Sequence, residues 1–271
     1  MANPSALLPA RFAAINVPVH IMTATRKTVL TFLAHPDDAE ILCGGTLIRL
    51  ADAGWQIHIA TATAGDCGTT VETADRISVI RQDEARRAAA MIGATYHCLG
   101  ELDGRVVYDK PTVQKTIELF RRVAPGLVFT HARSDYMMDH EMTSLLARGA
   151  SFMFAAPNVS SAPLVPGSAV PCMYYCDPVE GIDPLGHPVH PTTLIDISAQ
   201  LEKKIAMLAC HASQREWLRS HHGMDEYLDS TRRHSASRGK LLGTAAAEGF
   251  VQHRGHPYPA NDLLAELFSR K

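Results

Sequence analysis

The stretch that decides the fold runs from Thr28 to Glu40 and reads Thr-Val-Leu-Thr-Phe-Leu-Ala-His-Pro-Asp-Asp-Ala-Glu. It opens with seven apolar or β-branched residues, and such a continuous run is typical of a strand buried on both faces of a parallel sheet. The polar residues that follow then lie at the carboxyl end of that strand, where open α/β sheets place their ligand sites. Pro36 turns the chain sharply after His35, and the aspartates behind it are suitable N-caps for a helix that begins near Ala39.

One imidazole and three carboxylates lie within the six residues from His35 to Glu40. A turn or a helix cap explains any one of these side chains, but a histidine with two adjacent aspartates exceeds what a cap needs. Imidazole and carboxylate groups are typical zinc ligands, and a carboxylate left off the metal can act as a base. The cluster therefore indicates a metal site.

The 271 residues have an ordinary globular composition, with 46% hydrophobic and 20% charged residues. A formal net charge of −2 gives no overall field that attracts nucleic acid or an anionic membrane. No apolar run reaches the ~18 residues that a membrane span requires, and residues 1–19 lack the features of a secretory signal. We therefore expect a cytoplasmic protein without a nucleic-acid partner or a membrane span.

Cysteine and histidine are used differently in this chain. The six cysteines are scattered, and no Cys or His pairs at matching spacing complete a structural zinc site. We interpret the cysteines as reduced and mostly buried in the core. The fourteen histidines are enriched after residue 130, which indicates metal or proton chemistry.

Strands and helices alternate along the first half of the chain. Strands are predicted at residues 28–34, 56–63, 95–99 and 127–130, with amphipathic helices between them. This pattern predicts right-handed βαβ units and thus an α/β fold: a three-layer, Rossmann-like, mostly parallel sheet with helices on both faces. No Gly-x-Gly-x-x-Gly motif follows the first strand, which argues against a dinucleotide site.

We expect a single domain over residues 1–271. Its predicted parts are an N-terminal arm at 1–27, a loop-rich insertion at 157–191 and a helical C-terminal part at 198–271. Within the last part, the segments 249–251 and 253–259 are interpreted as a polar closing segment, followed by a short helix at 261–270.

A second polar cluster, residues 131–141, follows the strand predicted at 127–130. Because parallel strands end at the same edge of a sheet, we expect the two clusters to converge. His35, Asp38 and His140 then supply three nitrogen or oxygen ligands and leave a position for water. That is the composition of a catalytic rather than a structural zinc site, although ligand spacing does not exclude another divalent ion.

The segment Ala34–Glu40 and the pair Asp139-His140 resemble motifs of the PIG-L/LmbE-like family of zinc-dependent N-deacetylases. The segment is close to the family motif AHPDDE, and the pair matches the end of a later H-x-D-H motif. Weaker matches are Arg81-x-x-Glu84, Gly65-Asp66 and His211-x-Ser213-Gln214. The clear resemblance covers residues 28–150.

The resemblance implies an LmbE-like fold in which His35, Asp38 and His140 bind zinc and Asp37 is the general base. Asp139 is then a partner of a ligand or a helix cap. The implied reaction is hydrolytic removal of the acetyl group from an N-acetylglucosamine-type sugar or conjugate. Family members often associate, so a homo-oligomer is expected.

One position departs from the family pattern. The family often has a second histidine three residues before the zinc-binding one, and Met137 occupies that position here. A thioether cannot donate a proton, so the general acid must be another group: His131, His211, Tyr136 or Asp37 itself. We predict His211 as the catalytic residue beside Asp37.

The predicted substrate contacts are Arg81, Asp66 and Tyr136. Arg81 and Asp66 suit sugar hydroxyls or an anionic group, although an arginine on an exposed helix face is an equally good interpretation of Arg81. Two other functions stay open at this point. One is a metal-dependent amidase or esterase that acts on a different small conjugate, and the other is a non-catalytic sugar- or nucleotide-binding module of the same fold.

Overall fold

The computed structural model describes residues 26–222 and 226–268. Within these ranges seven strands form one sheet, which confirms the predicted α/β class. The strands are β1 (Thr28–Leu33), β2 (Gln56–Thr63), β3 (Thr95–Glu101), β4 (Leu127–Thr130), β5 (Cys172–Cys176), β6 (Thr193–Asp196) and β7 (Ala247–Gln252).

Eight α-helices lie within the same described ranges. They are α1 (Asp38–Asp52), α2 (Ala74–Ala90), α3 (Lys110–Val123), α4 (Met138–Met153), α5 (Leu201–Leu208), α6 (Ala212–His222), α7 (Glu226–Leu242) and α8 (Leu263–Phe268). Side chains of α1, α2, α5 and α8 form a core on one face of the sheet, and those of α3 and α4 form a core on the other. The predicted three layers are therefore present. None of the helices described is both long enough and apolar enough to span a bilayer.

The strand order in the sheet is β3-β2-β1-β4-β5-β7-β6. The strands β1 to β5 run parallel, with Thr28 paired to Gln56 and Val29 to Leu127. Among the strands described, β7 alone runs in the opposite direction to the rest of the sheet, and it is therefore antiparallel to both β5 and β6. The sheet is thus mostly parallel, as predicted.

The strands β1 and β4 are neighbours, and the chain leaves them in opposite directions. The next strand after β1 is β2 on one side, and the next after β4 is β5 on the other. Loops that diverge in this way open a crevice at the carboxyl edge of a sheet. All six residues of β1 are buried, because helices cover both faces of the sheet. Both polar clusters follow these two strands, so the fold brings them to the crevice.

The interpretation of residues 249–251 as part of a polar closing segment is wrong. They belong to β7, in which Phe250 has no exposed surface. The strand also contains Glu248, whose buried carboxylate accepts two main-chain hydrogen bonds from α1 and pairs with Lys204 over 2.7 Å. The C-terminal part is therefore helical with one added buried strand.

The predicted flanking segments are only partly described. Residues 1–25 of the predicted arm lie outside the described residues, and so does the end of the helix predicted at 261–270, whose remainder is α8. The insertion at 157–191 contains β5 and two short 3-10 helices between loops. All six cysteines are free thiols, as expected. Only Cys43, Cys172 and Cys176 are buried, so the expectation that most of the cysteines lie in the core holds for half of them.

Candidate metal centre

The turn after β1 gives its two aspartates different surroundings. Asp38 begins α1, and its carboxylate accepts the main-chain N–H of His35 over 2.7 Å, which closes a tight turn around Pro36. Asp37 precedes the helix with a φ of 116°, which is uncommon for a residue other than glycine. A strained backbone of this kind persists only where surrounding contacts hold it.

His35, Asp38 and His140 come together in the crevice between β1 and β4. One ligand atom from each lies within 4.8 Å of the others, and all three residues are buried. His140 Nε2 lies 3.7 Å from Asp38 Oδ1 and has no hydrogen-bond partner among the described residues. A buried ring nitrogen without a partner is costly, and a divalent metal ion would satisfy it. The three residues therefore fit a metal ion in position and in chemistry.

The other nitrogen of each histidine faces a carboxylate. His140 Nδ1 lies 2.9 Å from Asp135 Oδ1, and His35 Nε2 lies 3.2 Å from Asp139 Oδ2. Asp139 also accepts two main-chain N–H groups from the loop after β3. Outer carboxylates of this kind fix the tautomer and orientation of a metal-binding imidazole. Asp139 therefore contacts the predicted ligand His35 rather than capping a helix, and Asp135, which was not singled out from the sequence, contacts the predicted ligand His140 in the same way.

Three further groups of potential ligands lie close to this set: His131–Asp135–His140, His35–Asp103–Asp139 and Asp66–Cys67–Asp103. The first group shares only His140 with the predicted set, and the second shares only His35. Each of them includes an outer carboxylate, Asp135 or Asp139, in place of Asp38. The third includes Cys67, which is exposed. The free Nε2 atom of His140 beside Asp38 favours the predicted set.

Asp37 and Asp38 differ in acidity. Burial raises the pKa of Asp38, but the opposing effects, of which the charge of His140 is the largest, together outweigh burial and hold this pKa well below its usual range. Burial also raises the pKa of Asp37, and there it outweighs the opposing charge of Arg81. Asp38 is thus held as a carboxylate, as a metal ligand must be. Asp37, by contrast, is adapted to take up a proton.

Two side chains hold the carboxylate of Asp37. The hydroxyl of Tyr227 donates to Asp37 Oδ2 over 2.7 Å, and Arg81 Nη2 lies 3.5 Å from the same oxygen. Tyr227 belongs to α7, 190 residues further along the chain. It lies in a polar helical segment without a recognisable motif, so the sequence analysis missed it.

Arg81 lies beneath the crevice rather than in its opening. Its side chain is 4% exposed, and it donates to the main-chain oxygen of Pro36 over 2.7 Å. Gly65 packs so closely on the guanidinium that a Cβ at this position would lie 2.5 Å from it. This geometry favours a role in positioning the turn at Asp37, and direct contact of Arg81 with a substrate stays a prediction.

The other two predicted substrate contacts lie nearer to solvent. Tyr136 is 64% exposed, and its ring stands edge-on to His140 with the centroids 5.3 Å apart. Asp66 is partly buried and accepts the main-chain N–H of Asp103 over 2.7 Å, which joins the loops after β2 and β3. Contact of Asp66 and Tyr136 with a substrate stays a prediction.

His211 is fully buried behind the turn, with its Nε2 atom 3.4 Å from Glu40 Oε2. Burial lowers the pKa of His211, but the carboxylates of Glu40 and Asp37 outweigh burial and raise this pKa. The charge of His211 in turn lowers the pKa of Asp37. This arrangement favours a positioning role, and a direct catalytic role for His211 stays a prediction.

The structure limits which groups can replace the missing family histidine as general acid. His131 has no exposed surface and accepts the main-chain N–H of Ala34 over 2.9 Å. Burial lowers the pKa of His131 to about 4, so its ring is neutral at pH 7. Met137 precedes α4 and makes no side-chain capping hydrogen bond. The geometry therefore favours Asp37 and Tyr136.

Comparison with known proteins tests the family resemblance. Residues 30–151 match the family model described as PIG-L: GlcNAc-PI de-N-acetylase. This part of the chain is therefore similar to that family. The matched part begins in β1 and ends in α4, so it includes both polar clusters, and the resemblance drawn from the sequence is confirmed.

Proteins similar to this chain include deacetylases and a hydratase. A diacetylchitobiose deacetylase of Thermococcus kodakarensis is 28% identical over 218 residues, which cover 78% of this chain and 77% of the relative. A 4-oxalmesaconate hydratase of Pseudomonas putida is 27% identical over 201 residues, which cover 71% of this chain and 76% of the relative. The solved structure of an N,N'-diacetylchitobiose deacetylase from Pyrococcus horikoshii superposes with a TM-score of 0.71 at 24% identity, over 88% of each chain. The expected LmbE-like fold is thus confirmed.

Proposed function

We propose that this protein is a metal-dependent hydrolase that removes the acetyl group from an N-acetylglucosamine-type sugar or conjugate. The main support is the buried set His35, Asp38 and His140, with Asp37 beside it and held by other partners. The match to the PIG-L family model and the relatives named as deacetylases point to the same reaction. We propose zinc as the metal, because two imidazoles and one carboxylate form one of its usual catalytic donor sets.

Asp37 is the general base in this proposal. When bound, a zinc ion would lower the pKa of a water molecule and polarise the acetyl carbonyl. Asp37 accepts the proton of that water, and a pKa raised by burial suits a base that works near neutral pH. Tyr227 and Arg81 both contact Oδ2, which leaves Oδ1 of Asp37 for the proton.

Asp37 also returns the proton to the departing amine. Met137 cannot donate one, and His131 is buried, neutral and already bonded to the main chain. A protonated Asp37 is stabilised by burial, so it holds the proton between water attack and amine departure. His211 acts on this step through its charge, as a positioning residue.

The test measures acetate release and metal content on the same samples. Asn is close to Asp in shape and tolerates a positive φ, so Asp37→Asn is expected to keep its metal while turnover falls by about 10²–10⁴-fold. Asp38→Asn is the matched control in the same turn and is expected to lose both metal and turnover. The substrates are N-acetylglucosamine, diacetylchitobiose and an inositol-linked N-acetylglucosamine. Full turnover in Asp37→Asn would contradict the proposed mechanism.

A second candidate is the addition of water to a carbon–carbon double bond of a small acid. The hydratase relative supports it, and so does Met137, because a hydration expels no amine that has to be protonated. The proton that Asp37 takes from the water would instead go to the neighbouring carbon as the hydroxyl group adds to the double bond. The two candidates differ in their products. Release of acetate and a free amine supports the hydrolase, whereas loss of the ultraviolet absorbance of a conjugated unsaturated acid supports the hydratase.

A homo-oligomeric state and a cytoplasmic location are further predictions. Association is expected because members of the family often associate, and light scattering on the full chain measures it directly. Fractionation of the source cells tests the location.

A further inference from the structure

A cavity of about 380 Å³ lies between the loop after β4, the start of α4 and β5. Its volume lies within the range of small-molecule sites. Polar side chains dominate its lining: Arg133, Ser134, Glu141, Ser144, Arg148 and Tyr175. Glu141 directly follows the predicted metal ligand His140 in sequence, so the cavity and the metal centre share the first turn of α4.

Two guanidinium groups line this cavity. Neither Arg133 nor Arg148 forms an ion pair with any carboxylate in the part of the chain that the structure describes. Glu141 lines the same cavity, but its Oε1 atom accepts the main-chain N–H of Asp135 over 2.9 Å. The cavity lining therefore carries two positive charges and the one negative charge of Glu141, so its net charge is positive.

The remaining polar groups of the cavity do not offset this charge. Tyr175 donates to or accepts from His253 Nδ1 over 2.8 Å. Burial and the nearby Arg148 and Arg133 lower the pKa of His253, so its ring is neutral at pH 7. Burial raises the pKa of Tyr175 even though both arginines oppose this, so its hydroxyl keeps its proton. The two residues therefore act as neutral hydrogen-bonding groups beside the arginines.

A second cavity of about 420 Å³ adjoins the first at Arg148. Its lining is largely apolar and aromatic and includes Phe152, Pro257 and Tyr258. Phe152 is 49% exposed, although it is a large apolar side chain. The two cavities together offer a cationic part and an apolar part on the two sides of one arginine.

We propose that Arg133 and Arg148 form an anion-binding subsite that holds a carboxylate or phosphate group on the part of the substrate remote from the reacting bond. Guanidinium groups bind both anions through paired charge-assisted hydrogen bonds. The assignment of the anion to the substrate rests on the proposed function, because it assumes that the reaction takes place at the metal centre. The binding of an anion in the cavity does not depend on that reaction.

The first experiment measures anion binding alone. Titration calorimetry with malonate and with inorganic phosphate is carried out on the parent protein and on Arg133→Gln, Arg148→Gln and the double variant, with chloride as the reference anion. Loss of one charge-assisted hydrogen bond is expected to raise the Kd by about tenfold or more. Arg87→Gln, which removes an exposed arginine of α2 away from the cavity, is expected to leave the Kd unchanged.

The second experiment compares three substrates with the same acetamido sugar. N-acetylglucosamine is neutral, N-acetylmuramic acid adds a carboxylate, and N-acetylglucosamine 6-phosphate adds a phosphate. The parent protein is expected to have a lower KM for one of the charged sugars than for the neutral one. In the double variant the KM for the charged sugar should rise to that for the neutral sugar. Its kcat should stay the same, because neither arginine contacts the reacting atoms.

The outcomes separate this proposal from the proposed function. Arginine-dependent anion binding without acetate release from any sugar would leave the subsite standing and contradict the deacetylase. Acetate release with an unchanged Kd for malonate and phosphate in all variants would overturn the subsite. A change in oligomeric mass of the arginine variants, with anion binding intact, would assign the cavity to a subunit contact and would also overturn it.

Discussion

Asp37 and Asp38 are neighbours in one turn, yet their partners come from different parts of the chain. Asp38 meets His131 and His140, which follow β4, whereas Asp37 meets Arg81 of α2 and Tyr227 of α7. A cation or a hydrogen-bond donor lowers the pKa of a carboxylate, and burial raises it. The balance of these effects differs at the two residues, so their chemical roles are set by tertiary contacts rather than by the turn itself.

Tyr227→Phe is expected to weaken the base without removing the metal ligands. The phenol donates to Asp37 Oδ2 and lowers its pKa against the effect of burial. Removal of this donor raises the pKa of Asp37 further, so the acidic limb of the kcat/KM profile should move to higher pH. Turnover at pH 7 should fall by about tenfold or more, which corresponds to the ~1.5–3 kcal/mol of one hydrogen bond to a charged group.

The matched control for this change is Tyr96→Phe. Tyr96 is half-buried, and its hydroxyl exchanges a hydrogen bond with Thr61 rather than with Asp37. Its variant should keep the parent pH profile. Identical acidic limbs in the parent protein and in Tyr227→Phe would show that Asp37 is not the group that titrates.

Asp139→Asn is expected to weaken metal binding although Asp139 is not itself a predicted ligand. Its carboxylate faces His35 Nε2 and is held by two main-chain N–H groups. Loss of such a partner typically lowers metal affinity by about 10–100-fold. Competition with a coloured chelator measures this change, and Asp66→Asn, which alters a carboxylate of the neighbouring loop, is the control. Equal affinities in both variants would remove Asp139 from the metal centre.

At the scale of the residue, the sequence predicted those site residues that lie in or next to a local motif. His35, Asp38 and His140 lie in or next to such motifs, and they meet in the structure. Tyr227 and Asp135 were not singled out, because a lone tyrosine in a polar helix and an aspartate in a loop have many ordinary explanations. Their contribution depends on a distance between segments, which a single sequence does not contain.

At the scale of the element, β7 depends on a buried ion pair. Glu248 accepts main-chain N–H groups of Gly45 and Thr46 and pairs with Lys204, whose side chain is 1% exposed. Glu248→Gln keeps an acceptor for α1 but leaves the buried ammonium without a countercharge. We expect a loss of about 3–5 kcal/mol in the free energy of unfolding, measured by urea denaturation.

The double variant Lys204→Met with Glu248→Gln provides the control for this change. It removes the unpaired cation as well, so it should recover a large part of the lost stability, because the penalty comes mainly from the isolated charge. A double variant that is less stable than Glu248→Gln would show that packing of the lysine stem, not charge, decides the effect.

The same contacts explain which elements the sequence could predict. β1, β2 and β4 are apolar or β-branched runs whose predicted and observed bounds agree within one residue. β7 contains a glycine and a glutamate among its six residues, and its glutamate is buried only because α1 and Lys204 satisfy it. Its strand character therefore follows from tertiary partners, which composition and periodicity do not reveal.

At the scale of the whole molecule, the candidate centre depends on the topology of the sheet. Its ligands follow β1 and β4, the neighbouring strands from which the chain proceeds to opposite sides. The expectation that both clusters converge needed only the rule that parallel strands share a carboxyl edge. The segments that then close around the centre are the loop after β3 and the helices α2 and α7, and their contacts were beyond prediction from one sequence.

This arrangement predicts that metal binding stabilises the entire fold. The predicted ligands come from segments about one hundred residues apart, so the unfolded chain does not present a formed site. A metal ion that binds only the native state stabilises it by about 4 kcal/mol at a free concentration 1,000 times its Kd. For a chain of this size each kcal/mol moves the Tm by roughly 2–4 °C, so treatment with a chelator should lower the Tm by about 10 °C, and added zinc should restore it. Asp38→Asn should lose this metal-dependent increment, whereas Asp37→Asn should keep it. A Tm that responds to zinc equally in both variants would place the metal elsewhere than on His35, Asp38 and His140.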